Sequence, residues 1–221
     1  LKIIALDTST EYCSAALWID GVVRQRLEHA GQRHSQMLLP MVDGLLNESG
    51  LSMSGVDVVA AAVGPGSFTG LRIATAVGQG LAFGADVPVI PVGTLDTLAG
   101  GCQADRVATA LDARMGELYF AAFRRTPTGT ETVIAPLLVA PESLPDLPEG
   151  DWIGCGNGFD RLGERIAQRL PSVCVRKDCH PEARHVAAIA ATRFAAGERH
   201  PPEALVPIYV RDKVALTMAE R

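Results

Sequence analysis

Apolar residues alternate weakly over Lys2–Asp7, break at the polar cluster Asp7-Thr8-Ser9-Thr10, and resume over Cys13–Ile19. Asp20-Gly21 is a hairpin signal. Val22–Glu28 is therefore predicted as the third of three consecutive antiparallel strands. Ser35–Asn47 reads as a helix stopped near Gly50, with Ser35 as its N-cap. Asp57–Val63 is a short apolar strand of the kind buried on both faces of a sheet. It runs into Gly64-Pro65-Gly66-Ser67-Phe68-Thr69-Gly70, and a second helix follows over Leu71–Phe83. Val87–Val92 is another short strand.

The pattern then starts again. Leu6-Asp7 with Ala15-Ala16-Leu17 is echoed by Leu111-Asp112 with Ala121-Ala122-Phe123. Each time an apolar strand ends in Asp, turns, and returns as a second apolar strand, which points to an internal duplication. The second copy is eroded. Thr126–Gly150 reads as strand plus long loops, Trp152–Cys155 as a strand, and Phe159–Arg169 and Glu182–Ala196 as helices. Val206–Val210 is a late strand or extended segment. The order β-β-β-α-β-α-β is that of one lobe in the actin, hexokinase and sugar-kinase folds. The expected class is thus α/β, an actin-like ATPase (ribonuclease H-like) fold of two lobes, residues 1–104 and 105–221.

The two helices of the first lobe are more apolar than one core requires. On Ser35–Asn47, Met37, Met41 and Leu45 line one edge, and Leu38, Val42, Leu39 and Leu46 continue round. Together they cover about 200° where one core needs roughly 100°. On Leu71–Phe83 the polar side chains are Arg72, Thr75 and Gln79, within a narrow arc. Either a second chain covers the surplus or the second lobe does.

Composition narrows the setting. The chain has 221 residues, 48% hydrophobic and 20% charged, with net charge −5. No basic run is present, which disfavours a strong independent grip on nucleic acid. No apolar stretch approaches the roughly 20 residues of a membrane span. Leu1–Leu6 is too short for a signal-peptide core and reads as a buried strand. The chain opens on Leu1 without an initiator Met, as expected of trimming or of a partial sequence. Five cysteines at scattered spacings make no disulfide framework, which suits a reducing cytoplasm.

The chemistry-bearing motifs leave alternatives open. Residues 64–70 can present amides to an anion at a helix N-terminus, or simply allow a tight, closely packed turn. They lack the Gly-Lys-Ser/Thr ending of a Walker loop. Asp7 and Asp112 stand at strand ends, where a carboxylate can serve magnesium or cap a turn. Asp7, Thr8, Gly64, Gly66, Ser67 and Asp112 thus form a vestigial nucleotide or anion site at most. His34 beside Ser35 is a capping or contact residue before it is a ligand. Cys174, Cys179, His180 and His185 fit no standard zinc spacing. No metal site is expected.

Ile4-Ala5-Leu6-Asp7-Thr8-Ser9-Thr10, His34-Ser35 with Leu38-Leu39-Pro40, and residues 64–72 strongly resemble the TsaB (YeaZ) family. Asp112-Ala113-Arg114, Gly154-x-Gly156-x-Gly158 and Pro207-x-Tyr209-Val210-Arg211 extend the resemblance along nearly the whole chain. It implies a cytoplasmic bacterial protein required for N6-threonylcarbamoylation of adenosine 37 in tRNAs that read codons beginning with A. The implied partners are a TsaD-like catalytic subunit and a TsaE-like ATPase, with a homodimer in isolation and tRNA met only through the complex. The family pairs through its two N-terminal helices. That makes Met37, Leu38, Met41, Val42, Leu45, Arg72, Thr75 and Gln79 the expected interface, with Leu38 or Val42 shared with the core. In TsaD-like chains a Pro-Val step precedes a His-x-x-x-His metal pair. Here Pro91-Val92 is followed by Thr94 and Leu98 at the matching positions, and neither supplies an imidazole. The resemblance therefore implies a pseudoenzyme without cofactor. The rivals are an ATP-dependent kinase or ATPase built on Asp7, Asp112 and residues 64–70, and a glycoprotease-type metallopeptidase.

Overall fold

The computed structural model describes residues 1–127 and 129–210. Strands β1 (Lys2–Asp7), β2 (Tyr12–Ile19) and β3 (Val22–His29) form an antiparallel meander, and β4 (Val58–Gly64) and β5 (Val89–Gly93) add to it in parallel. The sheet order is β3-β2-β1-β4-β5. Strands β6 (Arg106–Asp112), β7 (Leu118–Thr126), β8 (Gly129–Val139), β9 (Ile153–Cys155) and β10 (Cys174–Arg176) build the second sheet, in the order β10-β9-β6-β7-β8. With β6 set on β1, the two orders and strand directions are identical. The repeat read from Leu6-Asp7 and Leu111-Asp112 is therefore a repeat of topology. The second copy is reduced. Its β9 and β10 have three residues each, and a single 3-10 turn, Pro141–Ser143, stands between β8 and β9.

Period-two alternation sorts the first sheet into two buried faces. Ile4, Leu6, Ala15 and Leu17 face helices α1 (His34–Glu48) and α2 (Phe68–Ala85). Ile3, Ala5, Ala16 and Ala60 face helix α5 (Ala183–Ala195) through Ala183, Val186, Ala187 and Ala190. Alanines on both sides let helix and sheet approach closely. In the second sheet, Ala108, Ala110 and Phe120 pack on α4 (Asn157–Arg169), and Val107, Leu111 and Phe123 pack on α3 (Thr94–Gly101). The helices are exchanged between sheets. α3 follows the first sheet and covers the second, whereas α5 follows the second and covers the first.

Two elements were not expected from sequence. α3 is short and ends in Gly100-Gly101, and β10 is an exposed edge without apolar alternation. α2 begins at Phe68 because Ser67 is its N-cap, its side chain accepting from the Gly70 N–H at 3.2 Å. The cap of α1 is Arg33 and makes no side-chain bond, so Ser35 does not cap that helix. No strand forms over residues 206–210; Ile208 N–H instead donates to Val63 O at 2.7 Å. Arg211 lies outside the described residues.

Candidate functional site

The β1–β2 turn, the N-terminus of α2, the β6–β7 turn and the N-terminus of α4 line one cleft of about 690 Å³. Gly66, Ser67 and Thr10 stand on one wall, and Asp112, Asn157 and Arg161 on the other. Asp7, Thr8 and Gly64 do not line it. Asp7 and Thr8 are buried behind the wall, and Gly64 turns toward the backbone of Ile208.

Asp7 and Asp112 occupy equivalent strand ends and make the same local turn. Asp7 Oδ1 accepts from the Ser9 N–H and Asp112 Oδ1 from the Arg114 N–H, both at 2.9 Å. Their surroundings differ. Arg161 Nη1 donates to Asp112 Oδ2 at 2.7 Å, with Arg114 Nη1 at 3.4 Å. The second oxygen of Asp7 is buried without a hydrogen-bond partner among the described residues. Burial pushes the Asp7 carboxyl up to about 6, against the lowering effect of the Ser9 bonds.

The glycine-rich loop is filled by its own chain. Ser67 N–H donates to Ser9 O at 2.7 Å, and Thr8 Oγ1–H donates to Gly70 O at 2.7 Å. A Cβ on Gly66 would meet Ser9 O at 2.5 Å, and one on Gly70 would meet Thr8 O at 1.9 Å. The Ser67 and Gly70 N–H groups are thus already bonded within the chain, the first to Ser9 O and the second to Ser67 Oγ. His34 is a contact residue, with Nε2 2.9 Å from Thr10 O, tying α1 to the same turn.

The outer layer of the first lobe departs from the sequence expectation. Leu38, Met41, Val42 and Leu45 are buried in the chain's own core. They hold α1 to the sheet; Leu38, Met41 and Leu45 offer no surface to another chain, which corrects their assignment as interface residues, whereas Val42 also borders the groove between the helices. Thr75 is also buried, with Oγ1 donating to Leu71 O at 2.9 Å. Gln79 is half-buried and donates to Leu205 O at 2.8 Å, while Met37 packs at the edge of the core. Arg72 is exposed, its guanidinium 3.5 Å above the Phe68 ring. The apolar groups open to solvent are others: Leu39 on α1 is 48% exposed and Phe83 on α2 76%. Leu39, Pro40, Val42, Leu46, Met53 and Leu81, with Asp43, line a largely apolar groove of about 460 Å³ between the helices. The signal for Phe83 was its place on the Arg72–Ala76–Gly80 stripe of α2. It was obscured because Thr75 and Gln79 look like the solvent face, whereas the C-terminal segment crosses the helix there.

Thr94 and Leu98 stand buried on α3. No group of three or more His, Cys, Asp or Glu side chains among the described residues is placed to hold a metal. No described helix is long and apolar enough to cross a membrane.

Two sheets of one topology with exchanged covering helices define an α/β protein of the actin-like ATPase type, duplicated within one chain. A family model described as TsaD, tRNA N6-adenosine threonylcarbamoyltransferase, matches residues 27–218. The tRNA threonylcarbamoyladenosine biosynthesis protein TsaB of Escherichia coli is 40% identical, over 97% of this chain and 96% of its own length. Its counterpart in Haemophilus influenzae is 34% identical, over 97% and 95%. The structure of YeaZ from Pseudomonas aeruginosa superposes with a TM-score of 0.88 at 38% identity, covering 94% of this chain and 99% of that one. The chain belongs to the TsaB family, that of tRNA threonylcarbamoyladenosine biosynthesis.

Proposed function

We propose that this chain acts in threonylcarbamoylation of tRNA adenosine in the cytoplasm as a non-catalytic subunit, binding a TsaD-like catalytic subunit together with a TsaE-like ATPase. The contact surface is the outer face of α1 and α2, around Leu39, Phe83 and the groove between the helices. In isolation the same face pairs two copies of the chain, and tRNA is met only through the complex. The observation that carries this reading is the exposure of Leu39 and Phe83 beside an apolar groove, on a layer whose other side is fully packed. Thr94 and Leu98 support the non-catalytic part, because neither can supply an imidazole to a metal.

The test is co-purification of the chain with a TsaD-like subunit. The double substitution Leu39→Asp and Phe83→Asp is expected to abolish pairing while leaving the circular dichroism spectrum unchanged. Undiminished pairing would remove the surface assignment.

A further inference from the structure

Three thiols far apart in the sequence come together beside α3 and the second sheet. Cys102 is the C-cap of α3, Cys155 ends β9, and Cys179 lies in the connection from β10 to α5. They share one apolar cluster with Leu98 and Phe123. Cys155 is fully buried, its Sγ reaching Leu98 O at 3.8 Å, and Cys102 is 2% exposed. Cys179 is half-buried and is thus the member open to a small solute.

Cys155 Sγ–H donates to Leu98 O and Cys179 Sγ–H to Lys177 O at 3.6 Å, and the neighbouring Cys102 and Cys179 sulfurs, with burial, raise the Cys155 thiol well above the ordinary thiol value. The Cys155 neighbour, with the Arg176 guanidinium adding to it, holds Cys179 below that value and brings Cys102 to about 6. Arg176 pairs with Cys155 in the β9–β10 register, which fixes the positive charge beside the cluster. A half-buried thiol at the opening, held below its ordinary value, with a second thiol buried beneath it has the makings of a peroxide-sensitive pair.

We propose that Cys179 and Cys155 are an oxidisable pair that closes to a disulfide when a hydroperoxide reaches Cys179. The Cys179 thiolate sulfur attacks one peroxide oxygen, the O–O bond breaks, and Cys179 becomes a sulfenic acid as the other oxygen leaves as water after protonation. The Cys155 sulfur then attacks the sulfenic sulfur, its proton leaves with the displaced hydroxyl as a second water, and the S–S bond forms. Two thiols and one hydrogen peroxide thus give one disulfide and two waters. The bond ties the lead-in of α5, which covers the first sheet, to a strand of the second.

The full chain is treated with hydrogen peroxide, its remaining thiols are alkylated, and it is digested without reductant for peptide mass spectrometry. The expected product is a linked pair of peptides carrying Cys155 and Cys179, lighter by two hydrogens and separated by dithiothreitol. In Cys155→Ala the Cys179 sulfenic acid should persist and be captured by dimedone, and Cys174→Ser should change nothing. A link between Cys102 and Cys155, oxidation confined to Cys174, or no oxidation at Cys179 would each overturn the proposal. The native-chain mapping decides it even where Cys155→Ala fails to fold.

Discussion

Ser9 donates both its backbone N–H and its hydroxyl to Asp7 Oδ1, at 2.9 and 2.7 Å, and the other carboxylate oxygen of Asp7 is sealed in without a hydrogen-bond partner among the described residues. Burial of a carboxylate that is only half satisfied raises its titration from 3.8 to about 6. The folded value lies above the unfolded one, so the folded state binds the extra proton between them. The contribution to stability is fully present below 3.8 and is lost as pH rises through about 6. The shift corresponds to roughly 3 kcal/mol. Asp7→Asn keeps an acceptor for Ser9 and removes the charge. Urea unfolding should find it close to the native chain at pH 4 and more stable at pH 8. A loss of stability at pH 8 would mean that the carboxylate is needed.

Two glycines of α2 should respond in opposite directions to alanine. At Gly70 the added Cβ meets the Thr8 carbonyl oxygen at 1.9 Å, and backbone must move. The expected loss is about 1–3 kcal/mol or more. Around Gly80 nothing lies within 4 Å of an added Cβ. There alanine should gain up to about 1 kcal/mol of helix propensity. Thermal melts of the two variants read the difference directly.

Burial separates the core residues of α1 from its outer face. Met41→Asp and Leu45→Asp place a charge in the packed layer and should remove at least about 3 kcal/mol, leaving little folded chain. Leu39→Asp should alter stability by no more than about 0.5 kcal/mol. A loss of pairing in Met41→Asp therefore reports unfolding, and only Leu39 and Phe83 report the surface.

Titration of the isolated chain with magnesium ATP by calorimetry should show no binding heat. Asp7 is closed off behind Ser9, Asp112 is committed to Arg161 and Arg114, and the Ser67 amide is taken by Ser9 O. A saturable micromolar signal would restore the kinase-like reading.

Much of the first lobe was legible because its signals are local. Asp20-Gly21 fixes the β2–β3 hairpin, the apolar run before Gly64 marks a central strand, and the Leu6-Asp7 and Leu111-Asp112 echo marks the duplication. The exchange of α3 and α5 between sheets was not legible, because side-chain periodicity says that a face is buried but not by which element. The same limit misplaced the outer face of α1 and α2. Met41 and Leu45 looked like surplus apolar surface, yet sheet residues Ile4, Leu6 and Leu17 share their core. Thr75 and Gln79 looked exposed because the segment crossing α2 at Leu205 lies 126 residues beyond Gln79. The glycine-rich loop kept two readings open, and only the approach of the Thr8 and Ser9 carbonyls to Gly70 and Gly66 favours close packing.

The most direct measurement is reconstitution of tRNA threonylcarbamoylation from a TsaD-like subunit, a TsaE-like ATPase, threonylcarbamoyl-adenylate and ATP, with modified nucleoside counted by mass spectrometry. Adding the native chain should restore modification, and adding the Leu39→Asp, Phe83→Asp chain should leave it at the level without the chain. Full modification without the chain, or undiminished modification with the folded double variant, would contradict a partner role exerted through the outer face of α1 and α2.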